Sequence, residues 1–197
     1  WYPLQQYLVE FPRGHLQSLG LAWDSRPQAQ EGQRWFHLYP DEERMRHGHP
    51  LHWTSRDQTW NYQCAECHST ALEKNYDLET DTYATTWAEI DVACESCHGP
   101  AANHVWQAEQ VAAGDPSAWQ ADKGLVVDLT DRDGGIWSVN PETGVAGRSV
   151  PRSNHTEIEL CARCHARRGQ IHEQYEYGKP LGNTHQLALL ENNLYHP

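Results

Sequence analysis

The sequence predicts an α+β fold with much irregular structure, made of short helices and small β-hairpins. Three observations predict it. Short apolar or aromatic runs of strand length recur, each bounded by Gly, Pro or polar turn residues. Three Cys-x-x-Cys-His runs occur, each short enough to sit on about one turn of helix. Hydrophobic content is only 38%, yet the chain holds nine Trp and nine Tyr. Too few aliphatic side chains are present for a large conventional core, and flat aromatic rings need a partner to pack against.

Taken in order, Tyr7–Phe11, Leu19–Trp23 and Trp35–Tyr39 predict three strands. Residues 41–57, charged and His-rich, predict irregular chain. A short helix is expected over 58–68, around Cys64-Ala-Glu-Cys67-His68. A loop through Asp77–Thr86 leads to a second helical stretch, with Thr86 as cap and Glu89 three residues on. That stretch carries Cys94-Glu-Ser-Cys97-His98 and ends at Gly99-Pro100. Pro100 opens a further helix, Ala101–Ala113, closed by Gly114. Leu125–Leu129 and Gly135–Val139 predict strands flanking an Asp133-Gly134-Gly135 turn, with another turn at Pro141–Gly144. Thr156 and Glu159 form a capping-box pattern ahead of Cys161-Ala-Arg-Cys164-His165, and Gly169 suits the end of that helix. Turns follow at Gly178-Lys179-Pro180 and Gly182-Asn183, then a short helix between Gln186 and Leu194. The whole of 1–197 is expected to form one domain, part of a longer precursor. The chain opens at Trp1 and shows no signal peptide, so an export signal is expected outside it.

All six Cys lie in the three Cys-x-x-Cys-His runs, and this pattern predicts covalent c-type haem attachment. Two thiols reach the two vinyl groups on one porphyrin edge as thioethers, and the adjacent imidazole ligates the iron. Three haem c groups are therefore expected, around which the helices and hairpins pack. Cys64, Cys67, Cys94, Cys97, Cys161 and Cys164 form the bonds; His68, His98 and His165 are the proximal ligands. A zinc ribbon wants roughly 15–20 residues between its pairs. Here 26 separate Cys67 from Cys94, and the third pair has no mate. A thioredoxin-like site needs one pair in a βαβ setting, and a disulfide framework does not explain a His after each pair. With 13 His in 197 residues, three such coincidences arise by chance about 3 times in 10,000. Thioether attachment takes place outside the energy-conserving membrane, so a periplasmic or extracellular location is expected.

The formal net charge of −12 excludes a nucleic-acid partner, which would need basic patches. No apolar run is long enough for a membrane span. Redox proteins are the expected partners, together with further copies of the chain.

The sixth ligands are sought among ten remaining His, since Met45, the only Met, sits in a charged Arg44-Met45-Arg46 setting. His104 follows His98 by six residues among Ala and Val, too near to fold over its own haem. His52 lies between Leu51 and Trp53, and His196 follows Leu194-Tyr195. His37 lies in an aromatic strand, where a structural role competes.

The chain resembles a branch of the multihaem c-type cytochromes whose longer members follow the haem region with tetratricopeptide repeats. The resemblance spans nearly the whole chain. It rests on Tyr2–Pro12, Gln33–Pro40, Pro50–Thr54, Trp60–Cys64, Cys97-His98-Gly99-Pro100 with His104, Cys161–Arg168 and Leu194-Tyr195-His196. It implies that His104 ligates a different haem from the one held by His98, and that His52 and His196 are further distal ligands. Ala101-Ala102 stand where such a motif commonly has Gly-Ser. The expected function is electron transfer, alone or as a subunit of a multihaem assembly or filament. The alternative is an oxidoreductase acting on a small nitrogen compound at an open haem, with Arg163, Arg167 and Arg168 as nearby donors.

Overall fold

The protein is described by a computed structural model covering residues 2–40, 45–131 and 135–189. It divides into two compact units, Trp1–Asp91 and Val92–Pro197. Both mix short helices with small antiparallel sheets and much irregular chain, as the sequence predicts. No helix among the described residues is long and apolar enough to cross a membrane.

The first unit opens with a three-stranded antiparallel sheet, ordered β1 (Leu4–Glu10), β2 (Leu16–Asp24), β3 (Arg34–His37). The predicted strands overlap these elements, running one residue past β1 and two past β3, because aromatic and β-branched side chains suit a pleated surface. Trp35 lies opposite Trp23 in the register and 5.5 Å from it between ring centroids, and also stacks at 5.3 Å on Tyr7. The β1–β2 register shifts between Gln6 and Leu8. Asp24 ends β2 and binds the Arg26 guanidinium at 2.6 Å. Those hydrogen bonds hold its carboxyl down at about 2, from an ordinary 3.8. Two short helices follow, α1 (Trp60–Gln63) and α2 (Ala65–His68).

The expected loop at 77–86 is instead a hairpin of β4 (Tyr76–Asp77) and β5 (Thr82–Tyr83). Asp77 closes it by accepting from the amides of Glu79 and Thr80, which lowers its own pKa. Thr86 does not cap a helix. Its backbone pairs with Glu73 and that of Glu89 with Thr70, so both residues serve bridges between chain segments. The helix of the second motif is correspondingly short.

The second unit holds that helix, α3 (Glu95–His98), then α4 (Ala102–Ala112) and α5 (Thr156–His165). It also holds the hairpins β6 (Trp137–Val139) with β7 (Ala146–Arg148), and β8 (Arg168–Gln170) with β9 (His185–Leu187). The Pro141–Gly144 turn joins β6 to β7 as expected, and Gly114 at φ 103° follows α4. Leu125–Leu129 is not a strand; Val127 bonds instead to the end of α3. The proposed Asp133–Gly135 turn falls largely outside the described residues. The residue capping α5 is His155, with no side-chain cap; just before it the Asn154 side chain accepts from the Thr156 amide at 2.9 Å. Glu159 is drawn off to accept from the Leu181 amide at 2.7 Å, so the capping box does not form. Gly169 lies in β8 rather than closing α5, which ends at His165. The helix expected after Gln186 begins instead as β9; residues 190–194 lie outside the described residues.

Buried apolar side chains are few: Ala22, Trp60, Ala65 and Tyr83 in the first unit, Val127, Leu160 and Leu181 in the second. Much larger apolar side chains stay exposed, among them Trp35, Tyr62 and Trp87 in the first unit and Trp106, Trp119 and Ile158 in the second.

Candidate cofactor-attachment sites

Each Cys-x-x-Cys-His run forms, or ends, a helical turn. In the first, the amides of Cys67 and His68 both bond to the Cys64 carbonyl at 3.1 Å. In the second, Cys97 and His98 bond to Cys94 O at 3.2 and 3.0 Å. In the third, the run forms the last turn of α5. All six thiols are free of disulfides. A turn of this kind brings two sulfurs and an imidazole to one locality, as thioether attachment requires. Among the described residues, no group of three or more His, Cys, Asp or Glu is arranged to hold a bare metal ion.

The first turn is fixed by buried polar side chains. Asn61, fully buried, accepts from Leu16 N at 2.7 Å and donates to Thr85 Oγ1 at 2.8 Å and Gly14 O at 3.3 Å. Beside it, Gln17 donates to Thr59 Oγ1 at 3.0 Å. Trp60 packs edge-on to Trp87 at 5.2 Å. Sequence reasoning placed Asn61 in a motif but missed its anchoring role; an Asn three residues before a Cys carries no signal of burial. Cys64 lies 3.9 Å from Ser18 Oγ, and burial pushes its thiol pKa up. His68 is exposed.

The second turn is fixed through its imidazole. His98 Nδ1 lies 2.9 Å from Val127 O, and the Val127 amide donates to His98 O at 3.2 Å. A carbonyl only accepts, so Nδ1 carries the proton and Nε2 presents its lone pair. That is the form an iron ligand requires, and the donated hydrogen bond orients the ring. Gly99 ends the turn at φ 74°, where a Cβ would meet Val126 Cβ at 2.9 Å and Tyr177 Cγ at 3.2 Å.

His104, in the first turns of α4, repeats this arrangement. Its Nδ1 lies 2.7 Å from Lys123 O, and its ring is 5.5 Å from Trp119. Gly124 makes the approach possible, since a Cβ there would stand 2.9 Å from the Asn103 and His104 backbone. His104 therefore also presents Nε2.

His52 is half-buried in a turn, with Nδ1 2.8 Å from Thr54 Oγ1 and the His47 ring 5.8 Å away. His52 Nδ1 also accepts from the Thr54 amide at 3.3 Å. His37 Nδ1 accepts from Tyr39 N at 3.0 Å, and His49 Nδ1 from Leu51 N at 3.2 Å. In the neutral ring His37, His49 and His52 then all carry the proton on Nε2, the wrong tautomer for ligation through that atom. His15 Nε2 lies 3.1 Å from Asp81 O and 3.4 Å from its carboxylate. His185, which sequence reasoning passed over, is 2% exposed. Its Nδ1 is 2.9 Å from the Thr184 hydroxyl. Met45 is half-buried. His196 lies outside the described residues.

The third turn leaves Cys161, Cys164 and His165 exposed at the end of α5. The same helix is braced by Arg152–Glu157 at 2.6 Å and by the Glu159–Leu181 bond. Between its two cysteines, Arg163 is stacked on Tyr175, 4.7 Å from guanidinium carbon to ring centroid. Arg167 is exposed and Arg168 donates through Nε to the Arg163 carbonyl.

These residues fit a covalently attached haem. Free thiols and an exposed imidazole share a turn in the first and third sites, and a tautomer suited to iron is fixed in the second. Large apolar surface such as Trp87, Trp106 and Trp119 stands ready to be covered.

Residues 22–99 match the family of cytochrome c554 and c-prime. That stretch contains the first two Cys-x-x-Cys-His turns and His52, and the match supports a c-type cytochrome with covalently bound haem. The crystal structure of the outer cell wall cytochrome OcwA is similar at a TM-score of 0.49 and 16% identity, over 98% of this chain and 32% of that one. The chain spans about a third of that protein, and a likeness this slight does not establish a shared fold. Comparison with curated proteins gives no match.

Proposed function

We propose that the chain is an electron-transfer protein with three haem c groups, bonded through Cys64 and Cys67, Cys94 and Cys97, and Cys161 and Cys164. His68, His98 and His165 are the proximal ligands. His104, His52 and His196 are the distal ones: His104 serves a haem other than that of His98, and His52 ligates through Nε2 once its Nδ1 releases the Thr54 amide and takes up the proton. The observation that carries this reading is the shared tautomer of His98 and His104, each Nδ1 bound to a peptide carbonyl and each Nε2 left for a metal. With haem bound, paired His ligands would leave no open position, so the iron would exchange electrons without binding a substrate, at a lower potential than with methionine. The protein residues supply attachment, ring orientation and exclusion of water; the electron is accepted and released by the haem. The reading places the chain in the multihaem branch with tetratricopeptide-bearing longer members, on the periplasmic or extracellular side. Its partners are redox proteins and further copies of itself in a multihaem assembly or filament.

The test is expression with a cytochrome c maturation system. Intact mass should show three haem additions, and the oxidised protein should be wholly low-spin. A mass equal to the bare polypeptide ends the reading. A high-spin fraction that changes on adding nitrite favours the oxidoreductase instead.

A further inference from the structure

The Arg163 guanidinium joins the second and third attachment turns. Arg163 is one of the two residues between Cys161 and Cys164; Ser96 holds the equivalent place between Cys94 and Cys97. Arg163 Nη1 donates to Ser96 O at 3.4 Å. The guanidinium carbon lies 4.7 Å from the Tyr175 ring centroid and 5.4 Å from that of Tyr177, while the two rings stand 5.7 Å apart at 72°. Tyr177 also packs against Gly99, directly after His98. The side chain thus touches elements on both sides: the second motif through Ser96, and the aromatic pair that borders Gly99. Arg163 Nε is buried without a hydrogen-bond partner, and no carboxylate pairs with the guanidinium among the described residues. The cation is therefore held in place by ring faces and a peptide oxygen rather than by an ion pair.

We infer that Arg163 is a positioning residue that locks the second and third haem-attachment turns together and sets a shared positive field on the two haems bonded there. This rests on the proposed haem attachment. Reduction of a haem adds one negative charge, which a fixed neighbouring cation favours. Arg and Lys differ here, since only the planar guanidinium stacks between two rings while donating to a carbonyl.

The experiment compares the fully matured parent protein with Arg163→Met and Arg163→Lys, using intact mass and spectroelectrochemical titration. Arg163→Met should keep three haems. Two of its three potentials should fall, by about tenfold in the reduced-to-oxidised ratio at fixed ambient potential, which is about 59 mV for one electron. The third should match the parent. Arg163→Lys should recover most of the shift, because it restores the charge without the stack. Unchanged potentials in fully loaded Arg163→Met overturn the inference and leave the haem reading intact. Arg163→Lys shifted as far as Arg163→Met also overturns it, since packing rather than charge would then be the cause. A parent chain without haem overturns the underlying reading instead. Should Arg163→Met not load, Tyr177→Leu removes one stacking face while keeping the cation; the same two potentials should fall by less, and parent-like values overturn the inference.

Discussion

The first and second attachment turns solve one problem with different materials. The first is held by buried side chains: Asn61 binds Leu16 N, Gly14 O and Thr85, and Gln17 binds Thr59. The second is held from above by main chain, with Val127 O orienting His98, while Lys123 O fixes His104. Side-chain anchoring fixes where the turn sits but leaves His68 exposed. Main-chain anchoring fixes which imidazole nitrogen faces the metal. The first turn should therefore be sensitive to single substitutions in its foundation, and the second to changes in backbone path.

The largest effect should come from removing ligands. His104→Ala should convert one low-spin haem to high spin, read by electron paramagnetic resonance and by new binding of cyanide. His52→Ala should do the same to a different haem; no spectral change in either variant would strike that residue from the ligand set. Next comes Asn61→Leu, which strands the buried Leu16 amide and the groups that Asn61 binds, at about 3 kcal/mol. A lower urea midpoint checks it, and the haem bonded at Cys64 and Cys67 should lose its low-spin signature at a lower urea concentration than the others. Gly124→Ala should cost about 2 kcal/mol, since it adds a Cβ at φ 68° against the backbone of α4. It should also broaden the signal of the haem that His104 serves.

The smallest effect is pH-dependent. Asp24 has its pKa lowered to about 2 by Arg26, so its stabilisation is complete above the ordinary value of 3.8 and is lost as pH falls towards 2. Asp24→Asn should weaken the first unit at neutral pH and match the parent near pH 2. Equal stability of the two proteins at pH 7 would show that the Asp24–Arg26 pair contributes nothing.

The strands of the N-terminal sheet and all three attachment turns were legible in the sequence, because period-two patterning and Cys spacing are local signals. The failures are non-local. Leu125–Leu129 has the composition of a strand, but its hydrogen bonds go to the end of α3. Thr156 and Glu159 have the spacing of a capping box, but the helix starts after His155, Asn154 takes the Thr156 amide and Leu181 claims the glutamate. His104 was legible through its distance from His98 and through the resemblance. The tautomer that separates it from His37 and His49 was not, since that depends on carbonyls and amides brought up by the fold. Asn61 and His185 were missed for the same reason: burial of a polar side chain is a property of its surroundings.

The bond from His98 to Val127 O has one further consequence. A peptide carbonyl belongs to no side chain, so no substitution that preserves the local path of the chain removes it. Whatever electron density this acceptor lends to the imidazole, and through it to the iron, is shielded from ordinary mutational drift at position 127. Altering it takes a shift of the backbone itself, such as an inserted residue between Gly124 and Val127 or an amide-to-ester replacement.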